Sequence, residues 1–247
     1  MKLSGRFVCA LLFWLPVWAA PQAAGAEPVH RDSQAAPHGE HLYYMFEGEA
    51  GWADTDEGNL VIWDMHGWYG GDVHKFVLRS EGEHHGQSWE QAELWGLYSR
   101  NISEFWDAQA GIREDFIPFA RTYFAFGVSG MLPYFIETGA HLFVSDLGDV
   151  SARIESATDL NITQRLIFTP HTELNFSAQP VAERQQKAGL TGVELGAKLR
   201  YEITRKFAPY IDLNYARLAG ATAALAGRQG KNTDSLTLRA GLRIWFN

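Results

Sequence analysis

From Leu236 to Phe246 the residues fall into two interleaved sets. Leu236, Leu238, Ala240, Leu242, Ile244 and Phe246 alternate with Thr237, Arg239, Gly241, Arg243 and Trp245. Successive side chains of a strand point to opposite faces, so this period of two predicts a strand with one aliphatic face and one face carrying two arginines. A strand that separates hydrocarbon from a polar interior divides its residues in this way. The alternation recurs along nearly the whole chain. It predicts an all-β fold, a transmembrane antiparallel β-barrel of about twelve strands, with ten as the alternative.

Strand cores are expected near 42–52, 59–69, 72–83, 88–100, 104–116, 119–131, 133–146, 149–162, 165–178, 190–204, 207–218 and 233–246. The connections alternate too. Short ones fall at Gly70-Gly71, 101–103, Leu132-Pro133, Thr163-Gln164 and Arg205-Lys206, and longer polar ones at 53–58, 83–87, 179–189 and 219–232. In barrels of this kind the tight turns face the periplasm and the long loops the exterior. Trp68, Tyr69, Tyr98, Phe105, Trp106, Tyr134, Phe207 and Phe246 gather beside the tight turns, as in an interfacial aromatic girdle.

The mean hydropathy of -0.20 is too low for a helical membrane protein but suits a barrel, whose lipid-facing and lumen-facing residues average out. Lys2 and Arg6, an apolar run from Phe7 to Trp18, and Ala24-x-Ala26 predict a secretory signal peptide over 1–26. Residues 27–41 are expected to form a flexible periplasmic tail, and 42–247 an outer-membrane barrel. Losing Lys2 and Arg6, and no acid, takes the formal charge from -8 to -10; Cys9, the single cysteine, goes with them. That acidity argues against a nucleic-acid partner. Alternation turns Glu194, Lys198, Arg200 and Glu202 inward, with Arg153, Glu155, Asp159 and Asn161, so the lumen holds many charges of both signs. Twelve strands enclose more space than the eight that side chains fill and less than a wide porin, which predicts a narrow or partly blocked pore.

Several segments, in order, resemble the copper resistance protein B family of outer-membrane proteins. They include Trp68-Tyr69-Gly70-Gly71-Asp72, Phe76-Val77-Leu78-Arg79-Ser80-Glu81-Gly82-Glu83, Trp106-Asp107-Ala108-Gln109-Ala110-Gly111, Asp149-Val150-Ser151-Ala152-Arg153, Glu173-Leu174-Asn175, Leu199-Arg200-Tyr201-Glu202 and Phe207-Ala208-Pro209-Tyr210. The resemblance implies an outer-membrane barrel that contributes to copper tolerance by binding copper ions or mediating their passage or sequestration. It also implies outer-membrane lipid as its surroundings and a periplasmic copper-handling protein as a candidate partner. Members often carry a Met- and His-rich segment ahead of the barrel. Here the tail offers His30, His38 and His41 only.

Copper sites need imidazole and, for Cu(I), thioether or thiolate. His84-His85, expected in an exterior loop beside Glu81 and Glu83, could catch a divalent ion or simply be solvated. His141 and His171 are expected in the lumen, where a hydrogen-bond network with Arg153 and Glu173 accounts for His141 without metal. At the periplasmic mouth, a hairpin symmetric about 53–58 sets Met45 opposite His66 and Glu47 opposite Asp64, and the tail brings His38 and His41 to the same place. The competing reading packs Met45 against Trp68. No enzymatic activity is expected. His141 and Ser145 share a face, but four residues of strand hold them roughly 13 Å apart, and G-x-S-x-G, H-E-x-x-H and phosphate loops are missing. A generic small-solute pore is the alternative function, and an outer-membrane lipid hydrolase the less favoured one.

Overall fold

In the computed structural model the two interleaved sets part as alternation requires. On the last strand Thr237, Arg239, Arg243 and Trp245 are half-buried, while Leu236, Leu238, Leu242, Ile244 and Phe246 are exposed on the outer surface. The structure describes residues 42–247 except 56, 57 and 87. The expected leader at 1–26 and tail at 27–41, with His30, His38 and His41, lie outside the described residues.

Thirteen strands succeed one another: β1 (Tyr43–Thr55), β2 (Gly58–Gly70), β3 (His74–His85), β4 (Ser88–Ser103), β5 (Trp106–Ile117), β6 (Arg121–Leu132), β7 (Ile136–Ser145), β8 (Val150–Ala157), β9 (Leu160–Asn161), β10 (Leu166–Ser177), β11 (Gly189–Tyr201), β12 (Phe207–Leu218) and β13 (Asp234–Phe246). Each long strand pairs antiparallel with its neighbours in sequence, and β1 pairs with β13. With β8 paired to β10 and β10 to β11, twelve strands close a ring and the two-residue β9 sits beside β10. Closure removes the free edges that an open sheet would expose. No described helix is long and apolar enough to cross a membrane.

The strand expected over 149–162 divides into β8 and β9. Pro170 on β10 has no N–H to give to the ladder, and the pairing resumes beyond it at Phe168 with Leu160. In the gap Asp159 turns inward and accepts hydrogen bonds from Thr169 Oγ1 at 2.6 Å and Arg200 Nη1 at 2.9 Å.

Two of the connections expected to be long are not. β1 runs to Thr55 and β2 starts at Gly58, while β3 runs to His85 and β4 starts at Ser88, so both hairpins turn within two residues. Real length is confined to the loop before β11 and the loop before β13. The second contains helix α1 (Gly220–Arg228), whose alanine-rich sequence favours helix. Thr222 Oγ1 of α1 accepts a hydrogen bond from the backbone N–H of Lys187, which ties the two loops together over one rim. The opposite rim holds the start of β1 and the end of β13, and is called the terminal rim below.

Outward aromatics crowd the terminal rim, with Tyr69, Tyr98, Phe105, Tyr134 and Phe207 exposed, as the girdle requires. Trp68 is the exception: it turns into the lumen and packs against a buried cluster of Val77, Trp95, Leu97, Tyr123, Ala125 and Phe143. Those residues belong to β3, β4, β6 and β7, so one side of the barrel interior is a solid core rather than a channel.

Candidate functional site

The ladder stacks like residues across strands. Glu49, Asp64, Glu81, Glu93 and Asp115 occupy directly opposed positions on β1 to β5, and Glu155, Glu173 and Glu194 do so on β8, β10 and β11. Opposed like charges repel and are tolerated only when cations interleave them. The next row supplies those cations, since His66, Arg79, Trp95, Arg113 and Tyr123 are opposed on β2 to β6.

The cations converge on Glu93, which is 2% exposed. Its carboxylate takes Arg113 at 2.6 Å, Arg153 at 2.8 Å and the indole N–H of Trp95 at 3.0 Å. Arg79 bridges Glu81 at 2.8 Å and Glu155 at 2.9 Å. The guanidinium carbons of Arg79, Arg113 and Arg153 lie 4.6, 5.4 and 5.4 Å from the Trp95 ring centre. Planar guanidinium groups can meet carboxylates and an aromatic face together, which lysine cannot do as well. The result is a cross-linked block over the wall formed by β3 to β8.

From above, the loop after β10 reaches down onto this block. Arg184 donates to Asp115 at 2.5 Å and lies over Tyr123, while Glu183 accepts from Arg121 at 2.5 Å. Burial works against the charge on Arg184, but the hydrogen bond to Asp115 and the nearby anions outweigh it and raise the pKa above the ordinary arginine value.

Across the lumen the wall of β10 to β13 is open. It borders a cavity of about 980 Å³ that spreads from the loop rim down to Arg113, Arg153 and Glu173. Nearer the terminal rim, Lys198 pairs with Glu49, and Arg243 with Glu47 at 2.6 Å.

At the cavity mouth, Glu83, His85 and Glu90 form the one group of three or more His, Cys, Asp or Glu donors found among the described residues, with ligand atoms within 4.8 Å of one another. A bulge makes this possible. Glu83 pairs with Gln91 but His84 pairs with Trp89, so Glu90 is an extra residue on β4. The bulge reverses the facing of the first residues of β4. Trp89 turns outward, with its ring centre 4.7 Å from His84 and 5.5 Å from Trp63, and Glu90 comes beside His85. Strict alternation puts Glu90 on the lipid side, so a sequence reading passes over it. The clue available was a carboxylate two residues beyond Ser88, the residue that pairs with His85.

The remaining expected residues lie apart from this group. Thr55 pairs with Gly58, so the hairpin is not symmetric about the centre of 53–58 and its register slides by two. Met45 therefore faces Trp68, Glu47 faces His66 and Glu49 faces Asp64. Met45 and His66 are at best diagonal neighbours on the inner face, and Glu47 is engaged by Arg243. The pair His84-His85 is not a loop dipeptide but the end of β3, with His84 outside and His85 inside. His141 stands opposite Arg153, bonds Gln109 through Nε2 at 2.8 Å and packs edge-on to Trp95. His171 lies 3.9 Å from Asp212 and rests on Gly196, where an added Cβ would collide with the imidazole. Ser145, on the same face as His141, accepts the backbone N–H groups of Leu147 and Asp149 and so shapes the turn after β7.

A closed ring of twelve antiparallel strands with an apolar exterior and a charged interior is a β-barrel of the outer-membrane type. The crystal structure of the NanC porin shares this fold, with a TM-score of 0.55 over 81% of this chain and 98% of that one, at 15% sequence identity. More particularly, the chain belongs to the copper resistance protein B family: residues 42–246 match the family described as copper resistance protein B precursor (CopB). It is 39% identical over 204 residues to the copper resistance protein B homolog of Pseudomonas syringae pv. tomato, covering 82% of this chain and 69% of that protein. It is 38% identical over 205 residues to copper resistance protein B of Escherichia coli, covering 83% and 69%.

Proposed function

We propose that this barrel resides in the bacterial outer membrane and contributes to copper resistance by binding copper ions and governing their passage or sequestration there. Membership of the copper resistance protein B family is the observation that carries the reading. The geometry supports it: an apolar outer face suits lipid, and a cavity lined by carboxylates and arginines, the carboxylates in slight excess, stops at the Trp95 block instead of continuing as a wide hole. An interior of this kind attracts cations and retards bulkier solutes. With the tight turns of the terminal rim in the periplasm, the cavity opens to the exterior. No catalytic step is assigned to the lumen.

The volume of the cavity, about 980 Å³, also accommodates a small organic solute, which favours a narrow solute pore as the second reading. Deletion of the gene and complementation with the wild-type chain, scored as growth against copper concentration, separates the two. The copper reading requires altered copper tolerance and copper bound to the detergent-purified protein. Altered uptake of small solutes with unchanged copper tolerance would replace it with the pore.

A further inference from the structure

We infer that Glu83, His85 and Glu90 form a divalent-cation site at the mouth of the barrel, built for Cu(II) and not for Cu(I). The inference rests on the copper reading only for the identity of the ion. The site itself comes from how His85 is held.

Thr55 Oγ1 lies 2.7 Å from the carbonyl oxygen of Gly58 and 2.7 Å from Nε2 of His85. A threonine hydroxyl has one proton, and a carbonyl oxygen can only accept. The hydroxyl proton therefore goes to Gly58, and Thr55 must accept the Nε2–H of His85. This assignment leaves Nδ1 of the neutral imidazole as a bare lone pair. Nδ1 faces Glu90 Oε1 at 3.6 Å, with Glu83 completing the group. With the imidazole neutral, that lone pair and two carboxylates repel unless a metal cation lies between them; a proton on Nδ1 would instead pair with Glu90. Fixing one ring nitrogen by a hydrogen bond, so that the other is presented as a donor, is the usual way a metal-binding histidine is held.

The surroundings reinforce the placement. The bulge that inserts Glu90 is braced outside by the edge-on contacts of Trp89 with His84 and Trp63, so Glu90 is delivered by an anchored strand and not by a free loop. The His85 side chain is 14% exposed and that of Glu90 52%, so the group is reachable from the cavity. One imidazole and two carboxylates, without sulfur, suit a divalent transition ion. Cu(I) prefers thiolate and thioether. Met65, the methionine of the neighbouring strand, is directed outward, away from the group.

The full chain, purified in detergent, would be titrated with Cu(II), and with Cu(I) under reducing conditions. Binding would be followed by calorimetry and, for Cu(II), by electron paramagnetic resonance. We expect His85→Ala and Glu90→Gln each to weaken one Cu(II) equivalent at least tenfold, and His85→Ala to remove one nitrogen from the spectrum. His74→Ala, at the far end of β3 where the imidazole contacts Tyr98, should leave both unchanged. Thr55→Val, which removes the partner of Nε2 and touches no metal, should shift the spectrum while keeping the stoichiometry. Glu90 is exposed enough that its substitution leaves the barrel intact, and heat-modifiability on gels checks this for every variant. Unchanged Cu(II) binding in folded His85→Ala and Glu90→Gln, or tighter Cu(I) than Cu(II) binding at this site, would overturn the inference. The copper reading fails separately, if deleting the whole chain leaves copper tolerance unchanged while the purified protein still binds Cu(II) through His85 and Glu90.

Discussion

The two walls of the lumen are built from the same alternating strands and do opposite things. Over β3 to β8 the inward residues are long and interlocked: Arg79, Arg113 and Arg153 surround Trp95, and each is neutralised by a carboxylate. Over β10 to β13 the inward positions include Gly192, Gly196, Asn214 and Thr237, too short to reach across. One wall is a core that happens to lie inside a barrel; the other lines free volume. Pore width in this barrel is thus set less by strand number than by side-chain length on one arc.

The sharpest way to break this contrast is Trp95→Ala. Removing a fully buried indole from a packed site costs about 3–5 kcal/mol, which would show as earlier unfolding in urea with the barrel held in detergent micelles. Surviving barrels should also conduct more in planar bilayers, since the block would be hollow. A smaller effect comes from glycines on the two walls. Gly127→Ala drives its Cβ into the backbone oxygen of Ala140, which cannot move aside, whereas Gly196→Ala meets the His171 imidazole, which can swing into the cavity. The first should cost about 3 kcal/mol and the second about 1 kcal/mol by the same unfolding measurement.

Arg184→Ala should come next, costing about 1–2 kcal/mol through the lost charge-assisted bond to Asp115. Its clearer readout is single-channel current, which should rise as the loop lifts from the packed wall. Last, Glu194→Gln on the open wall makes no salt bridge to lose among the described residues and should change stability by less than about 0.5 kcal/mol. A larger change there would show that the open wall carries structure as well.

Strand number and facing were legible because the alternation of aliphatic and polar residues repeats without a frame shift over most of the chain. His141 opposite Arg153 was legible for the same reason: the turn after β7 is unambiguous, so the register comes from counting. Register failed where a hairpin contained several plausible turn positions. Residues 53–58 can turn in more than one place, and a shift of one in the turn centre moved every partner of Met45, Glu47 and His66 by two. The pairing of Glu49 with Asp64, at the start of the acid row, was hidden behind that shift. Glu90 was hidden by a different cause, since a bulge is a local exception to the periodicity on which the reading depends. The arginine-tryptophan block was beyond reach because its contacts join strands far apart in sequence, and alternation gives a face without giving a neighbour across the lumen.

The bulge at Glu90 has a consequence for inheritance. Because it adds one residue to one strand, loss of the Glu90 codon would restore strict alternation on β4, leaving Trp89 outside opposite His84 and taking the carboxylate from His85. A substitution at His85 or Glu90 removes one donor and keeps the bulge, whereas one in-frame deletion erases the bulge itself and leaves the rest of the ladder untouched. Length at this hairpin therefore becomes a trait to compare beside the identity of the residues at 85 and 90.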